Sequence, residues 1–322
     1  MTPARYADLP RPDDGTNLPL AWGAWGPGDE IGTLNRITDA TVAAGAAEIR
    51  DGRRFNLNLP LDEPFGAALS GAHRRRAAPT PTLVVDDGPG KMTRDDKLDG
   101  FWLQASSQWD GLNHYACPIQ GFYNNAPLAA VIHGEGSRNG IDKALAHGIA
   151  GRAILADLPR YFAKAGRAWT PLGSMRASAD DLTACLAASG VTPRAGDILL
   201  VRTGWLAAFR AAEGAEARDA LLRGRDYSGV DGGPATWEWL WDTGIAAIAA
   251  DNPTVEAFPI TALRPSLHWG IGRMGLCLGE FFDLEALAED SASTGRATAF
   301  LVAAPLNLRG GVGSPANAIA LT

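Results

Sequence analysis

Hydrophobic and polar positions along the chain alternate between the spacing of a helix and the spacing of a strand. This order predicts helices that lead into strands. Residues 37–52, ITDATVAAGAAEIRDG, predict a helix with Thr38 as its N-cap and Gly52 as its stop, and the alternating sequence FNLNL predicts a strand after it. Residues 178–190, SADDLTACLAASG, predict a second helix, in which Ser178 and the acidic residue three positions later form a capping box. The segment GDILLVRTGW then predicts a buried strand.

The second half of the chain repeats this order of elements. TWEWLWDTG predicts a helix with Trp237 and Trp241 on one face, and IAAIAAD predicts a buried strand that ends at Asp251. PSLHWGIGRM predicts a helix stopped by Gly275, and the apolar segments LCLGEFF and TAFLVAAPL predict two further strands. By contrast, residues 61–100 are rich in Gly, Pro, Asp and Arg and, apart from a short PTLVV strand, predict long surface loops of the kind that often cover a site.

These elements indicate one α/β domain that spans residues 1–322, with mixed β-sheets flanked by helices. We find no repeat of fixed period and no clear interdomain linker. The 322 residues, of which 46% are apolar, are enough to form a large packed core.

Charge and cysteine content narrow the classes of partner. A net charge of −7 excludes a general basic field for nucleic acid. The one basic run, HRRR at His73 to Arg76, predicts a solvated loop, although it could instead reach a neighbouring subunit's pocket or meet an anionic substrate. Three cysteines without metal-type spacing indicate reduced thiols, and no apolar run approaches the ~20 residues of a membrane span. We therefore expect a soluble, cytoplasmic protein whose partners include neither nucleic acid nor a membrane.

Three segments carry polar groups at the ends of apolar elements. They are QASSQWDGLNH at residues 104–114, DNPTVE at residues 251–256, and His268 together with Glu280. Each has an ordinary explanation by itself: a histidine at a helix start is often a capping group, a buried glutamate is often paired with arginine, and Asp110 could be a turn residue. Together they could hold a divalent cation and leave an acid/base beside it.

The first of these segments carries a family resemblance. The chain resembles the cyclase family of metal-dependent hydrolases, which includes bacterial kynurenine formamidase and isatin hydrolase and has the signature HxGTHxDxPxH. Gln104 and Gln108 stand at the first two His positions, Leu112 stands at the Pro position, and Asp110 and His114 match the signature.

The resemblance extends beyond the signature. His268 and Glu280 match the spacing of the family's downstream His and Glu ligands. The segments WGPGDEIGTLN, GDILLVRTGW, DNPTVE and GVGSPANAIA also resemble the family. The resemblance implies a fold of mixed β-sheets flanked by helices, of the swivelling β/β/α type, and a homodimer or larger assembly.

The resemblance also implies a metal site and a reaction. In the family, the first two His and the Asp hold one metal, while the Asp and the downstream His and Glu can hold another. Because an amide oxygen is a weaker donor than imidazole, we expect one divalent ion, Mn²⁺ or Zn²⁺, held by Asp110, His268 and Glu280, with Gln108 as a fourth ligand. The implied reaction is hydrolysis by metal-activated water of a C–N bond other than a peptide bond, in a cyclic amide or an N-acyl or N-formyl aromatic compound.

Other residues receive expected roles at this site. Asp110 and His114 are the expected catalytic pair, with His114 as the acid/base. The residues expected to contact substrate are Gln104, Trp109, Tyr123 and His73. The nearby aromatic residues could form the apolar wall of a pocket or pack in the core, and they are Trp102, Trp109, Tyr115, Phe122 and Tyr123. Two other functions stay open: a cyclase or lyase acting on a carbonyl or lactone substrate, and a metal-free binding protein.

Overall fold

A large mixed β-sheet lies at the centre of the computed structural model, which describes residues 3–64, 76–224, 226–260 and 264–322. The strands in these residues are β1 (Arg54–Asn56), β2 (Thr80–Asp86), β3 (Thr93–Asp99), β4 (Gln108–Asp110), β5 (Ile149–Asp157), β6 (Arg176–Ala177), β7 (Ile198–Arg202), β8 (Gly229–Val230), β9 (Ala247–Ala250), β10 (Cys277–Glu280), β11 (Thr298–Ala303), β12 (Gly313–Pro315) and β13 (Ala318–Leu321). Nine of them form the sheet in the order β1-β13-β11-β5-β7-β9-β10-β4-β12, and β2-β3 and β6-β8 form two small sheets.

Helices connect the strands. The α-helices in the described residues are α1 (Asp39–Ala46), α2 (Ile141–His147), α3 (Leu158–Lys164), α4 (Ala179–Ala188), α5 (Trp205–Ala211), α6 (Gly214–Gly224), α7 (Pro234–Asp242), α8 (Leu267–Met274) and α9 (Glu285–Thr294). Short 3₁₀ helices cover Tyr6–Asp8, Gly32–Arg36, Tyr123–Asn125 and Leu128–Ala130. None of the helices in the part of the chain described here has the length and apolarity that crossing a membrane requires.

The centre of the sheet is parallel and its flanks are antiparallel. β5, β7, β9 and β10 run parallel to one another, and their nearly continuous apolar sequences are buried. β11, β13 and β1 continue the sheet on one side, and β4 and β12 continue it on the other, all by antiparallel pairing. The α/β class with a mixed sheet and flanking helices is therefore confirmed.

The local signals for helix boundaries are also confirmed. Thr38 and Ser178 each form a capping box at the start of α1 and α4. Gly275 adopts the left-handed conformation that ends α8, with φ of 66°. Ser266 caps the start of the same helix, so His268 lies in its first turn, as expected.

The expectation of loops across residues 61–100 is wrong in part. β2 and β3 form a seven-residue antiparallel hairpin in which Thr80 lies opposite Asp99 and Asp86 lies opposite Thr93. Every residue of both strands is exposed. The predicted PTLVV strand is present within β2, but the sequence of β3, TRDDKLD, has no apolar alternation that would predict a strand.

The N-terminal segment binds α8 from outside the sheet. Arg273 is fully buried on this helix, and its guanidinium donates to a carboxylate oxygen of Asp14 at 2.7 Å. The same guanidinium also donates to the backbone carbonyls of Leu18 and Pro19. The indole of Trp22 donates to the α8 backbone at 2.8 Å. These contacts fix the helix that carries His268.

Candidate metal centre

Two neighbouring antiparallel strands set the floor of the site. Gln108 on β4 lies directly opposite Glu280 on β10, and the amide of Gln108 donates to the Glu280 carboxylate. Asp110 is two residues after Gln108, so both side chains project from the same face of β4, while Trp109 projects from the other face. The strand register therefore brings together residues that lie 172 positions apart in the chain.

Asp110, His268 and Glu280 form a buried cluster with the composition of a metal site. One ligand atom from each residue lies within 4.8 Å of the ligand atoms of the other two. The closest approach between ring and carboxylate joins Nε2 of His268 to Oε1 of Glu280, at 3.3 Å. The structure thus brings together the three residues that the sequence predicts as ligands.

Two oxygen atoms of this cluster have no hydrogen-bond partner among the described residues. They are Oδ2 of Asp110 and Oε1 of Gln108, and both are buried. A buried acceptor without a partner is costly in free energy, and a bound cation would supply the missing interaction. Two carboxylates, one imidazole and one amide oxygen are a suitable donor set for a divalent ion, so the residues present fit the metal that the family resemblance implies.

Glu256 holds the ring of His268 in place. Its Oε1 lies 2.8 Å from Nδ1 of His268, and its carboxylate also accepts the backbone N–H of Leu267. With Nδ1 engaged, Nε2 is the ring nitrogen directed toward Glu280, which is the usual arrangement of a metal-binding histidine. A Cβ atom at Gly232 would collide with the Glu256 carboxylate, so only glycine leaves room for this contact.

The electrostatics of the cluster reflect its crowded negative charge. Burial, together with the charge of Asp110, raises the pKa of Glu280 to about 7. Burial alone would lower the pKa of His268, but its hydrogen bonds to Glu256 and Glu280 outweigh burial and hold that pKa well above the ordinary value. The carboxylates therefore favour positive charge in their midst, which a divalent ion would provide.

Gln104 and His114 lie on the other side of Asp110. The amide nitrogen of Gln104 donates to Oδ1 of Asp110 at 2.9 Å and lies 3.0 Å from Nδ1 of His114. Nε2 of His114 is 3.9 Å from the same Asp110 oxygen. Burial lowers the pKa of His114, although the charge of Asp110 opposes the shift. Burial thus favours the neutral form of this imidazole, which sits beside the cluster.

The aromatic residues expected at the substrate pocket divide into two groups. Trp109 and Tyr123 are fully buried in the core, where Trp109 packs edge-on against Phe282 and the Tyr123 hydroxyl donates to Asp29. Both side chains pack in the core, and their contact with substrate stays a prediction. Tyr115 does reach the site, since its ring meets the His268 ring edge-on with centroids 5.4 Å apart. His73 lies outside the described residues.

The sequence interpretation missed the role of Glu256. In the sequence, the only signal for this role was the position of Glu256 in DNPTVE, just after the predicted buried strand IAAIAAD. In the same segment, Asp251 is fully buried and accepts hydrogen bonds from the backbone and hydroxyl of Thr203 and from the backbone of Gly204. Asp251 therefore ties two strand ends together, while Glu256 belongs to the site.

Comparisons with known proteins agree with this picture. The family model named Cyclase matches residues 77–257. A crystal structure described as a novel cyclase is 29% identical, with a TM-score of 0.81, and the match covers 94% of this chain and 99% of that one. Isatin hydrolase A from Labrenzia aggregata, bound to benzyl benzoate, is 18% identical with a TM-score of 0.57, over 87% and 96% of the two chains.

A second isatin hydrolase A, from Ralstonia solanacearum, is 16% identical with a TM-score of 0.55, over 87% of this chain and 95% of that one. At these identities the two isatin hydrolases show a shared fold. No curated protein matches the sequence significantly.

Proposed function

This chain belongs to the cyclase family, and from that premise we propose that it is a metal-dependent hydrolase that cleaves an amide C–N bond. The observation that carries the proposal is the buried convergence of Asp110, His268 and Glu280, with Glu256 behind the histidine. The proposed substrates are cyclic amides and N-acyl or N-formyl aromatic compounds.

The ion would be held by Asp110, His268 and Glu280, with the free amide oxygen of Gln108 as a fourth ligand. This mixed oxygen and nitrogen set suits Mn²⁺ or Zn²⁺. When bound, such an ion polarises a carbonyl group and lowers the pKa of water from 15.7 toward ~7.

His114 is the residue proposed to move the proton. It lies half-buried beside Asp110, and its Nδ1 is occupied by the Gln104 amide, so it exchanges protons through Nε2. In the forward reaction it takes a proton from the attacking water and delivers it to the leaving nitrogen. Tyr115, packed against the His268 ring, provides an apolar surface next to the reacting groups.

Metal analysis combined with a substrate panel tests this function. Protein purified without chelator should contain one Mn²⁺ or Zn²⁺ per chain by mass spectrometry. It should hydrolyse members of a panel of cyclic amides and N-formyl aromatics, lose activity on chelation, and regain it when metal is restored. Metal-free protein without activity would favour a binding protein, and metal-bound protein that converts only lactones or open-chain carbonyl compounds would favour a cyclase or lyase.

We also propose that the protein acts in the cytoplasm. The three cysteines, Cys117, Cys185 and Cys277, are buried free thiols, which suits a reducing compartment.

A further inference from the structure

Arg76 brings a guanidinium group to the edge of the candidate metal centre. This half-buried residue donates from Nη1 to the backbone carbonyl of Gln104 at 3.0 Å. The side chain of Gln104 in turn contacts Asp110 and His114. Arg76 is therefore bound to the residue that links the proposed acid/base to a proposed metal ligand.

The positive charge of Arg76 is not balanced by a carboxylate of this chain. Among the described residues it forms no ion pair, and residues 1–2, 65–75, 225 and 261–263 contain no Asp or Glu. Three arginines on the sheet and on α8 differ in this respect, since Arg152, Arg202 and Arg273 each pair with a carboxylate at 3.0 Å or less. Arg76 thus brings a guanidinium cation to the edge of the site without an ion pair among the described residues.

Through its bond to Gln104, Arg76 places positive charge near Asp110 and His114. The remainder of the site is rich in carboxylates, which repel an anionic ligand. A guanidinium group at the edge of such a site offsets this repulsion and matches the two oxygen atoms of a carboxylate in geometry.

We propose that Arg76 binds a carboxylate group of the substrate, so that the preferred substrates are amides that carry an anionic substituent near the scissile bond. This inference rests on the proposed amide hydrolysis. Arg76 then determines specificity and does not take part in proton transfer. Arg76 could alternatively bind the oxyanion that develops at the scissile carbonyl. The experiments below distinguish a substrate carboxylate from this oxyanion.

The first test measures binding without turnover. Benzoate and its neutral analogue benzamide are titrated by calorimetry into wild type, Arg76→Gln, Arg76→Lys and the control Arg50→Gln. Arg50 is an exposed arginine just before β1, at the opposite edge of the sheet from β4. Benzoate affinity should fall about 10- to 100-fold in Arg76→Gln, because a charge-assisted hydrogen bond is lost. It should fall less in Arg76→Lys and should not change in Arg50→Gln. Benzamide affinity should be the same in all four proteins.

The second test uses formanilide and 2-formamidobenzoate, which differ by one carboxylate. Arg76→Gln should raise KM for the carboxylate compound by a similar factor and change formanilide kinetics much less, so that the preference for the carboxylate compound, measured as the ratio of the two kcat/KM values, falls. Two binding results would overturn the proposal: benzoate that fails to bind the wild type, and equal benzoate affinity in wild type and Arg76→Gln. An equal loss of kcat with both compounds would also overturn it, because Arg76 would then stabilise the oxyanion of the scissile carbonyl. Hydrolysis of neither compound would count against the proposed function, and the binding test would still decide the role of Arg76.

Discussion

Two glutamines in the signature segment determine which groups remain to hold a metal. Gln104 and Gln108 use their amide nitrogens to bind the carboxylates of Asp110 and Glu280, where imidazoles would bind an ion directly. The amide nitrogen cannot ligate a cation, whereas the buried amide oxygen of Gln108 has no hydrogen-bond partner among the described residues and stays available. At the scale of single residues, Asp110, His268 and Glu280 form a candidate site for one ion, with Gln108 beside them.

The two histidines of the site should respond differently to removal. His268→Ala should lose both bound metal and activity, because an imidazole donor disappears and the carboxylates of Asp110 and Glu280 face each other with less positive charge between them. His114→Ala should retain near-normal metal content and lose a factor of about 10² to 10⁴ in turnover, the usual contribution of a general acid/base. Metal content by mass spectrometry and kcat for a hydrolysed amide measure the two effects.

Other outcomes for these variants would change the assignment. Equal loss of metal in both variants would make His114 a ligand, and the proton shuttle would have to be another group. Unchanged turnover in His114→Ala would remove it from the mechanism.

Glu256 provides a third test at this scale. Glu256→Gln removes the negative charge behind His268 and should weaken metal affinity about 10- to 100-fold, as is usual when the partner of a metal-binding histidine is changed. Competition with a chromogenic chelator gives the dissociation constant. Glu238→Gln, an exposed change of the same kind on α7, serves as the control. Equal metal affinity in Glu256→Gln and the control would show that this contact does not support the site.

At the scale of elements, the position of α8 depends on the N-terminal segment. Removal of the Asp14 carboxylate leaves the buried Arg273 guanidinium without its anion, so Asp14→Ala should lower the free energy of unfolding by about 3–5 kcal/mol. Urea denaturation measures the change, and the exposed neighbour Asp13→Ala is the matched control, expected within about 0.5 kcal/mol of wild type. A loss in Asp14→Ala no larger than that of the control would mean that the pair does not stabilise the helix.

The same pair predicts a dependence on pH. Burial alone would raise the pKa of Asp14, but hydrogen bonds from Thr16, Arg273 and Gln120 outweigh it and hold the pKa well below its usual value. A carboxylate with a lowered pKa stabilises the fold above its unfolded pKa of about 4, and this stabilisation is lost as the pH falls through the folded value. The difference in unfolding free energy between wild type and Asp14→Ala should therefore be constant above about pH 5 and shrink below pH 4. A difference that does not change with pH would contradict this cause.

At the scale of the whole molecule, the β2–β3 hairpin supports the proposal that the protein is a homodimer or larger assembly. The strand register places Pro81, Leu83, Val85 and Leu98 on one face of the hairpin together with one ion of each sign, Asp96 and Arg94, and Leu83 is 60% and Val85 51% exposed. We call this the apolar face. A two-stranded hairpin exposed on both sides is marginally stable by itself. A second copy of the chain that covers this apolar face would stabilise it.

Light scattering at micromolar concentration should accordingly give at least twice the mass of the 33.8 kDa chain. The double variant Leu83→Lys with Val85→Lys should dissociate to monomer, because it places charge in the apolar face. Thr80→Lys with Thr82→Lys, which adds the same charge to the opposite face, should remain assembled. A monomeric wild type would reject the assembly, and equal dissociation of both double variants would show that the apolar face is not the contact.

The sequence by itself determined the elements and the composition of the site. Capping residues such as Thr38 and Ser178 and continuous apolar runs in β7 and β9 act over a few neighbouring positions, so they can be recognised without the fold. The candidate ligands Asp110, His268 and Glu280 could be identified because their types and spacings match a family pattern.

The tertiary structure alone decided which groups meet. Gln108 lies against Glu280 because of the register between β4 and β10, and Glu256 lies behind His268 because a buried strand end meets the start of a helix. The structure likewise shows that Trp109 projects from the side of β4 that packs in the core, where it is buried. Arg76 reaches the site through one bond to a backbone carbonyl. Such contacts depend on the packing of residues that are distant in the chain, and local patterns of hydrophobic and polar residues carry no information about them.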